Sequence, residues 1–264
     1  MHAAEREQLI LSLLSDRGFI AFQDLEARVE ASPATIRRDL EKLESSGRIT
    51  RVRGGARLVR QQDSSPDPRL TGVPFHENLG RNLAAKQAIG QAAAELCRSG
   101  DTVIIDGGST TLQMCPHLEE LGLQVLTNSL HIVSTLLPQQ RTGVMLPAGT
   151  LFREQNIILS PYEDDGISRY RASRMFMGAA AVGQHGVLQS DGILVHAERR
   201  LIGRAEELVL LVDSSKFEAQ TGHVVCALED VAVLVTDDGI SDAMAATLRA
   251  RVGRLIIAPR RSDG

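Results

Sequence analysis

From Thr102 onward the chain alternates short apolar runs with stretches of helical periodicity, and few architectures accommodate that pattern. The runs are Thr102–Asp106, Gln124–Thr127, a segment near Val144, Leu208–Val212, Val231–Val235 and Leu255–Ile257. Helices are predicted over Ala84–Arg98, closed by Gly100, from near Thr110, from near Ser129, and over Asp242–Arg251. An apolar run without polar alternation is buried on both faces. Such runs joined by helices make a mostly parallel sheet covered on both sides, an α/β fold. With no Trp and 3% aromatic residues, the cores must be built from Leu, Ile, Val and Ala. The 264 residues, 43% of them hydrophobic, suffice for two domains with separate cores.

The first 60 residues follow a different pattern. Leu9, Ile10, Leu13 and Leu14 mark one face of a first helix that Gly18 stops. Phe22–Val29, with Leu25 and Val29 four apart, reads as a second. Ser32-Pro33 opens a third: Ser caps, and Pro at the first helical position lacks only an N–H that has no partner there. Ile36, Leu40 and Leu43 form its buried face and Gly47 ends it. Arg48–Val52 alternates as a strand does, Gly54-Gly55 permits a tight turn, and Ala56–Val59 is the returning strand. Residues 1–60 are therefore predicted to be a winged helix-turn-helix. Residues 61–80, with Gln61-Gln62-Asp63-Ser64-Ser65-Pro66-Asp67-Pro68, read as a linker, and 81–264 as the α/β domain.

Charge is distributed to match. The chain carries 29 basic and 33 acidic residues, yet Ser32–Arg60 holds eight Arg and Lys against three Asp and Glu. Such a concentration is the footprint of a phosphate-binding surface, although a solvated basic face reads the same way. A helix-turn-helix sets its second helix in the major groove with N-terminal residues at base edges. Ser32 and Ala34 are small enough to allow close approach. Thr35 can bond a base or touch a thymine methyl, and Arg37 or Arg38 can take guanine bidentately or grip a phosphate. Arg48, Arg51 and Arg53 decorate the wing, where backbone or minor-groove contacts fall. An ion pair with Glu41 is the other reading for Arg38. Asp39, repelled by phosphate, is expected to orient an arginine.

In the α/β part, Thr102-Val103-Ile104-Ile105-Asp106-Gly107-Gly108-Ser109-Thr110-Thr111 is a buried strand ending in Asp and two glycines, then three hydroxyls. Glycines let backbone N–H groups approach an anion and the hydroxyls add donors. The segment lacks the Lys of a P-loop and the third glycine of a dinucleotide fingerprint. An ordinary strand-to-helix turn capped by Ser109 is the plain alternative. Thr127-Asn128-Ser129 and Asp213-Ser214-Ser215-Lys216 are two more strand ends where an open α/β sheet binds ligands.

At this density of fixed positions the chain resembles the DeoR family. Ser32, Thr35-Ile36-Arg37-Arg38-Asp39-Leu40, Leu43-Glu44, Gly47 and Arg51-Val52-Arg53-Gly54-Gly55-Ala56 match its helix-turn-helix and wing. Lys86-x-x-Ile89-Gly90, Asp106 to Thr111, Thr127-Asn128 and Asp213 to Phe217 match its effector domain, which is similar to ribose-5-phosphate isomerase. The resemblance implies a winged helix-turn-helix followed by a ribose-5-phosphate-isomerase-like α/β effector domain. It implies that Lys86, Asp106, Gly107, Gly108, Ser109, Thr110, Thr111, Asn128, Gly149 and Lys216 bind a phosphorylated sugar or sugar acid. The middle departs from the family: Pro147-Ala148-Gly149 stands where Gly-Gly is usual, and His196-Ala197-Glu198-Arg199-Arg200 replaces a Glu-Ala-x-x-Lys/Arg run. Ile158-Leu159-Ser160-Pro161 with Met175-Phe176 resembles the ascorbate-6-phosphate-responsive branch. Arg153, Arg169, Arg171 and Arg174 are further candidate anion partners, or surface residues.

The expected protein is a repressor of a carbohydrate or sugar-acid operon that leaves its double-stranded operator when a phosphosugar binds. A homodimer or homotetramer is expected, without metal, cofactor, catalytic residues or membrane partner. Two alternatives stay open: an isomerase-like enzyme using Asp106, Glu198 and Lys216 as acid or base, and a constitutive DNA binder. Three scattered cysteines, Cys97, Cys115 and Cys226, form no disulfide or zinc pattern. With neither secretion signal nor spanning segment in view, a cytoplasmic location is expected.

Overall fold

The computed structural model describes residues 3–17, 19–29, 31–45, 48–52, 55–58, 70, 75–160, 165–217 and 222–260. They belong to two compact units, Met1–Asp67 and Pro68–Gly264. In the first, helices α1 (Ala3–Arg17), α2 (Phe22–Arg28) and α3 (Pro33–Ser45) accompany strands β1 (Phe19–Ala21), β2 (Ile49–Val52) and β3 (Gly55–Leu58). The helical periodicity of the sequence is the core: Ile10, Leu14, Leu25, Ile36, Leu40 and Leu43 pack in one cluster. The strands form an antiparallel sheet in the order β1-β3-β2. Sequence periodicity gives β2 and β3 but not β1, whose three residues are too few to show alternation and gain strand geometry by pairing Phe19 with Arg57. Gly18, Gly47, Arg53 and Gly54 lie outside the described residues.

In the second unit, α4 (Phe75–Leu79) and α5 (Leu83–Ala94) precede β4 (Thr102–Ile105), β5 (Gln124–Leu126), α6 (Leu130–Leu136) and β6 (Gly143–Met145). Then come β7 (Thr150–Phe152), β8 (Ile157–Leu159), β9 (Ala172–Met177), β10 (Ala181–Gly183), β11 (Gly186–Gln189) and α7 (Gly192–Ile202). The chain continues through β12 (Ala205–Leu211), β13 (His223–Cys226), β14 (Val233–Asp237), α8 (Asp242–Arg249) and β15 (Arg254–Ala258). Seven strands form one parallel sheet in the order β15-β14-β12-β9-β4-β5-β6. Alternate residues enter opposite cores. Val103, Ile105, Phe176, Val209 and Leu211 face α5 and α6, whereas Ile104, Met175, Met177, Leu208 and Leu210 face α7 and α8. Burial on both faces explains why these strands read as unbroken apolar runs.

The structure departs from the sequence reading in several places that bear on the site. The helix expected from Thr110 is a 3-10 segment, Thr111–His117, containing Pro116, whose ring and missing N–H are incompatible with an α-helical interior. The helices expected over Ala84–Arg98 and Asp242–Arg251 end at Ala94 and Arg249. Strand β9, central in the sheet, was not anticipated because Ser173 and Arg174 interrupt its apolar run. Ser173 Oγ donates to the Thr102 carbonyl, and Arg174 pairs with Glu207 at 2.8 Å and Asp101 at 3.4 Å, so both polar residues are satisfied at the strand's entry. Finally, in the stretch 61–80 expected as linker, Leu70 and Phe75 are buried. Phe75 stacks on His131 with ring centroids 4.2 Å apart, and its N–H donates to the Glu154 carbonyl.

Gly90 shows how tightly α5 is seated. A Cβ there would lie 2.5 Å from the Gln113 carbonyl carbon and 2.7 Å from the Met114 nitrogen. Alanine normally stabilises a helix interior by about 1 kcal/mol over glycine. At Gly90 the overlap with a neighbouring backbone dominates, and Gly90→Ala is expected to destabilise the unit by about 1–3 kcal/mol. Urea denaturation of the two proteins measures the sign.

Candidate functional site

Helix α3 presents its N-terminal turn to solvent. Ser32 caps it, its Oγ accepting the Thr35 N–H at 3.2 Å and lying 2.8 Å from the Thr35 hydroxyl. Ala34, Arg37 and Arg38 are exposed, and Arg37 lies 5.1 Å over the Phe22 ring. Arg38 has no hydrogen-bond or ionic partner among the described residues, so the Glu41 pair considered for it does not form. Asp39 turns inward and receives Arg6 of α1 through both carboxylate oxygens, at 2.8 and 3.3 Å. Lys42 adds a second tie to α1 through Glu7 at 2.7 Å. Thus the Arg-Arg-Asp triplet divides its labour: Asp39 fixes the helix and the two arginines remain outside. Arg48 is exposed on the approach to β2, the Arg51 side chain is not described, and Arg53 lies outside the described residues.

The second candidate is a cavity of about 260 Å³ in the second unit. It opens where strand order reverses. From β4 the sheet proceeds to β5 and β6, and from the adjacent β9 it proceeds the other way through β12, β14 and β15. Carboxyl ends of strands diverge at such a point and leave a crevice. Asp106, Gly107, Gly108, Ser109 and Thr110 follow β4 into it, and Gly178, Ala179 and Ala180 follow β9. Gln189 at the end of β11, Ser190 after it, Leu194 and Glu198 of α7, and Lys216 after β12 complete one side. Phe75, Asn78 and Arg81 complete another.

Asn128 sets the geometry of the Asp106 loop. Its Nδ2 donates to Asp106 Oδ1 at 3.1 Å, and its Oδ1 accepts the Gly107 N–H at 3.0 Å. Gly107 is needed because a Cβ would fall 2.6 Å from the Ile157 side chain. The Thr111 hydroxyl donates within the loop, 2.7 Å from the Asp106 carbonyl and 2.9 Å from that of Gly108. Backbone N–H groups of Gly108, Ser109 and Thr110 and the hydroxyls of Ser109 and Thr110 have no partner among the described residues.

Both cationic and acidic groups line the cavity or lie against its wall. Lys86, fully buried beneath one wall, donates to the Asn78 carbonyl. Burial lowers its pKa to about 8, Asp213 opposes that, and Lys216 and Arg81 lower it further. Two cations, Lys216 and Arg81, therefore stand near the Lys86 ammonium, an arrangement that an anion relieves. Carboxyl groups line the same cavity. Burial raises the pKa of Asp106 against the bonds from Asn128 and Gly107. Burial and the neighbouring Asp106 push Glu198 well above the ordinary carboxylate range, against one bond from Gln189.

Of the residues singled out from sequence, Asp106, Gly107, Gly108, Ser109, Thr110 and Lys216 share this cavity wall. Four do not line it. Thr111 is spent on backbone carbonyls, Asn128 on Asp106 and Gly107, and Lys86 on Asn78. At Gly149 a Cβ would fall 2.5 Å from the Leu159 carbonyl oxygen, so glycine is there for close strand approach. The Gly107 amide, expected to face an anion, is taken by Asn128. Arg153, Arg169, Arg171 and Arg174 also lie away from the cavity: Arg174 closes its ion pairs, Arg171 donates to the Gly203 carbonyl, and Arg153 and Arg169 are exposed. Sequence reading missed Asn78, Arg81, Gln155, Gln189 and Ser190 as wall residues. For Glu198 a signal existed: it sits on the apolar face of α7 with Val195 and Leu201, where an unpaired carboxyl has no packing role.

A helix-turn-helix unit joined to an α/β unit with a polar cavity is the make-up of a transcriptional regulator. Residues 6–62 match the DeoR-like helix-turn-helix domain and residues 81–238 the DeoR C terminal sensor domain. The chain belongs to the DeoR family. The HTH-type transcriptional regulator UlaR of Salmonella newport is 31% identical over 251 residues, covering 95% of this chain and 97% of the relative, and the Salmonella dublin protein gives the same figures. Among solved structures, ribose 5-phosphate isomerase A from Methanocaldococcus jannaschii overlaps 54% of this chain and 55% of its own, with TM-score 0.37 and 18% identity. Translation initiation factor eIF-2B from Pyrococcus horikoshii OT3 overlaps 54% of this chain and 50% of its own, with TM-score 0.39 and 19% identity.

A pH signature follows from the buried carboxyl groups. A carboxyl whose pKa is raised by folding contributes fully below the ordinary range, about pH 4. As pH rises the unfolded chain releases its proton first, and stability falls until the folded group also ionises. Glu198→Gln removes one such group. Its urea midpoint is expected to decline less than that of the wild type between about pH 5 and pH 8, and parallel declines would refute the assignment.

Proposed function

We propose that this DeoR-family regulator is a repressor whose sensor cavity takes a phosphorylated sugar or sugar acid, and that occupancy releases it from a double-stranded operator. The observation that carries the reading is a cavity lined by both cationic and acidic groups. Lys216, Arg81 and the unpartnered amides and hydroxyls of Gly108 to Thr110 suit a phosphate, and Asp106 and Glu198 suit the oxygens of a sugar chain. A cavity of about 260 Å³ has room for a small phosphosugar. The resemblance to the ascorbate-6-phosphate-responsive branch favours a sugar acid.

On the DNA side, Ser32, Ala34 and Thr35 are assigned to close approach, Arg37 and Arg38 to bases or phosphates, and Arg48, Arg51 and Arg53 to the wing contacts. The exposure of Arg38 without a partner favours this assignment. The regulator acts as a homodimer or homotetramer on a repeated operator. For the effector to release DNA it must bind the DNA-free state more tightly.

A second reading is favoured by one observation. Asp106, Glu198 and Lys216, the acid and base candidates of an isomerase, line the same cavity. Turnover of phosphosugars by the purified chain decides it, and none is expected.

Gel shifts with DNA from the protein's own control region test the main reading. Arg38→Ala is expected to weaken specific binding about tenfold or more. Lys216→Met is expected to retain the shift and lose its reversal by phosphosugars. Specific retardation that no phosphosugar reverses in the wild type would leave a constitutive DNA binder.

A further inference from the structure

Glu198 is a buried carboxyl with one oxygen accounted for. Gln189 Nε2 donates to Oε1, while Oε2 is buried without a partner among the described residues and the residue lines the cavity. Asp106, from the end of β4, lies close enough to repel its charge, and Cys226 of β13 feels the same carboxyl. Arg199, which also acts on Cys226, is held by the Val224 and Val225 carbonyls. An ionised carboxylate in this place would be a buried charge held by a single amide, a costly arrangement. The neutral acid resolves the conflict. With Oε1 receiving the Gln189 amide, the proton belongs on Oε2, the oxygen left without a partner. A neutral carboxyl differs from a carboxylate in one respect that matters for recognition: it donates.

We propose that Glu198 is a specificity-determining residue whose Oε2–H donates a hydrogen bond to an acceptor oxygen of the effector, selecting molecules that carry a carboxylate, carbonyl or enolate oxygen in addition to the phosphate. This rests on the cavity being the effector site. An alditol phosphate offers a hydroxyl in place of the carboxylate, which can also accept from Glu198 but carries no charge. A sugar acid offers a charged acceptor, and charge-assisted hydrogen bonds are about twice as strong as neutral ones.

Two measurements on the full chain test it. Infrared spectra at neutral pH are expected to contain a protonated-carboxyl stretch that Glu198→Gln removes; a wild-type spectrum without that band overturns the proposal whatever the ligand. Calorimetric titration then compares 6-phosphogluconate with glucitol 6-phosphate, which differ only in carboxylate against hydroxymethyl. The wild type is expected to prefer the acid about tenfold. Glu198→Gln, which keeps a donor, retains the preference, and Glu198→Ala loses it. Equal affinities, or preference for the alditol, overturn the proposal. Inorganic phosphate serves as the separate control on the cavity itself. If it binds and Lys216→Met abolishes that binding, the cavity reading stands even where the Glu198 assignment falls. If neither phosphate nor either sugar phosphate binds, both fall.

Discussion

The sensor unit depends on one amide side chain. Asn128, at the end of β5, donates to the carboxyl of Asp106 and accepts from the backbone of Gly107 at the end of β4. Both its hydrogen-bonding groups are used across neighbouring strands, so the loop after β4 is held open where the sheet divides. Because Gly107 is committed to Asn128, the chain beyond it leaves Gly108, Ser109 and Thr110 facing the cavity. An Asn suits this place better than an Asp would, since a second carboxylate beside Asp106 would be buried and repelled. The pocket's chemistry is downstream of that choice.

The same logic of one residue fixing what others use recurs in the helix-turn-helix. Asp39 and Arg6 join α3 to α1 and take no part in the exposed surface. Their pairing permits Arg37 and Arg38 to be pure surface, and it explains why an acidic residue stands inside a helix otherwise suited to phosphate. In the sensor, Lys86 plays the corresponding part. Its ammonium grips the Asn78 carbonyl from beneath, and it adds positive charge to a wall it does not itself line.

Much of the fold was legible because burial leaves a plain signature. The recognition helix announced itself through Ser32-Pro33 and the spacing of Ile36, Leu40 and Leu43, and the double-faced strands through unbroken apolar runs. Strand β9 was illegible because its polar residues are satisfied by partners far along the chain, Thr102, Asp101 and Glu207. Motif reading found the strand ends that line the cavity but could not separate residues facing it from those bracing it. Thr111 and Asn128 are as polar as Ser109 and Thr110, and only the hydrogen-bond partners tell them apart. Asn78 was missed for the opposite reason: it comes from a stretch whose Pro and Ser content reads as a connector, which Arg81 directly follows.

That connector has a mechanical consequence. Phe75, Asn78 and Arg81 are among the first described residues after the helix-turn-helix unit, and they are also a wall of the cavity. Phe75 is clamped on His131, and Lys86 holds the Asn78 carbonyl from beneath. One short length of chain thus serves twice: its aromatic end packs into the second unit, and its polar end faces the cavity.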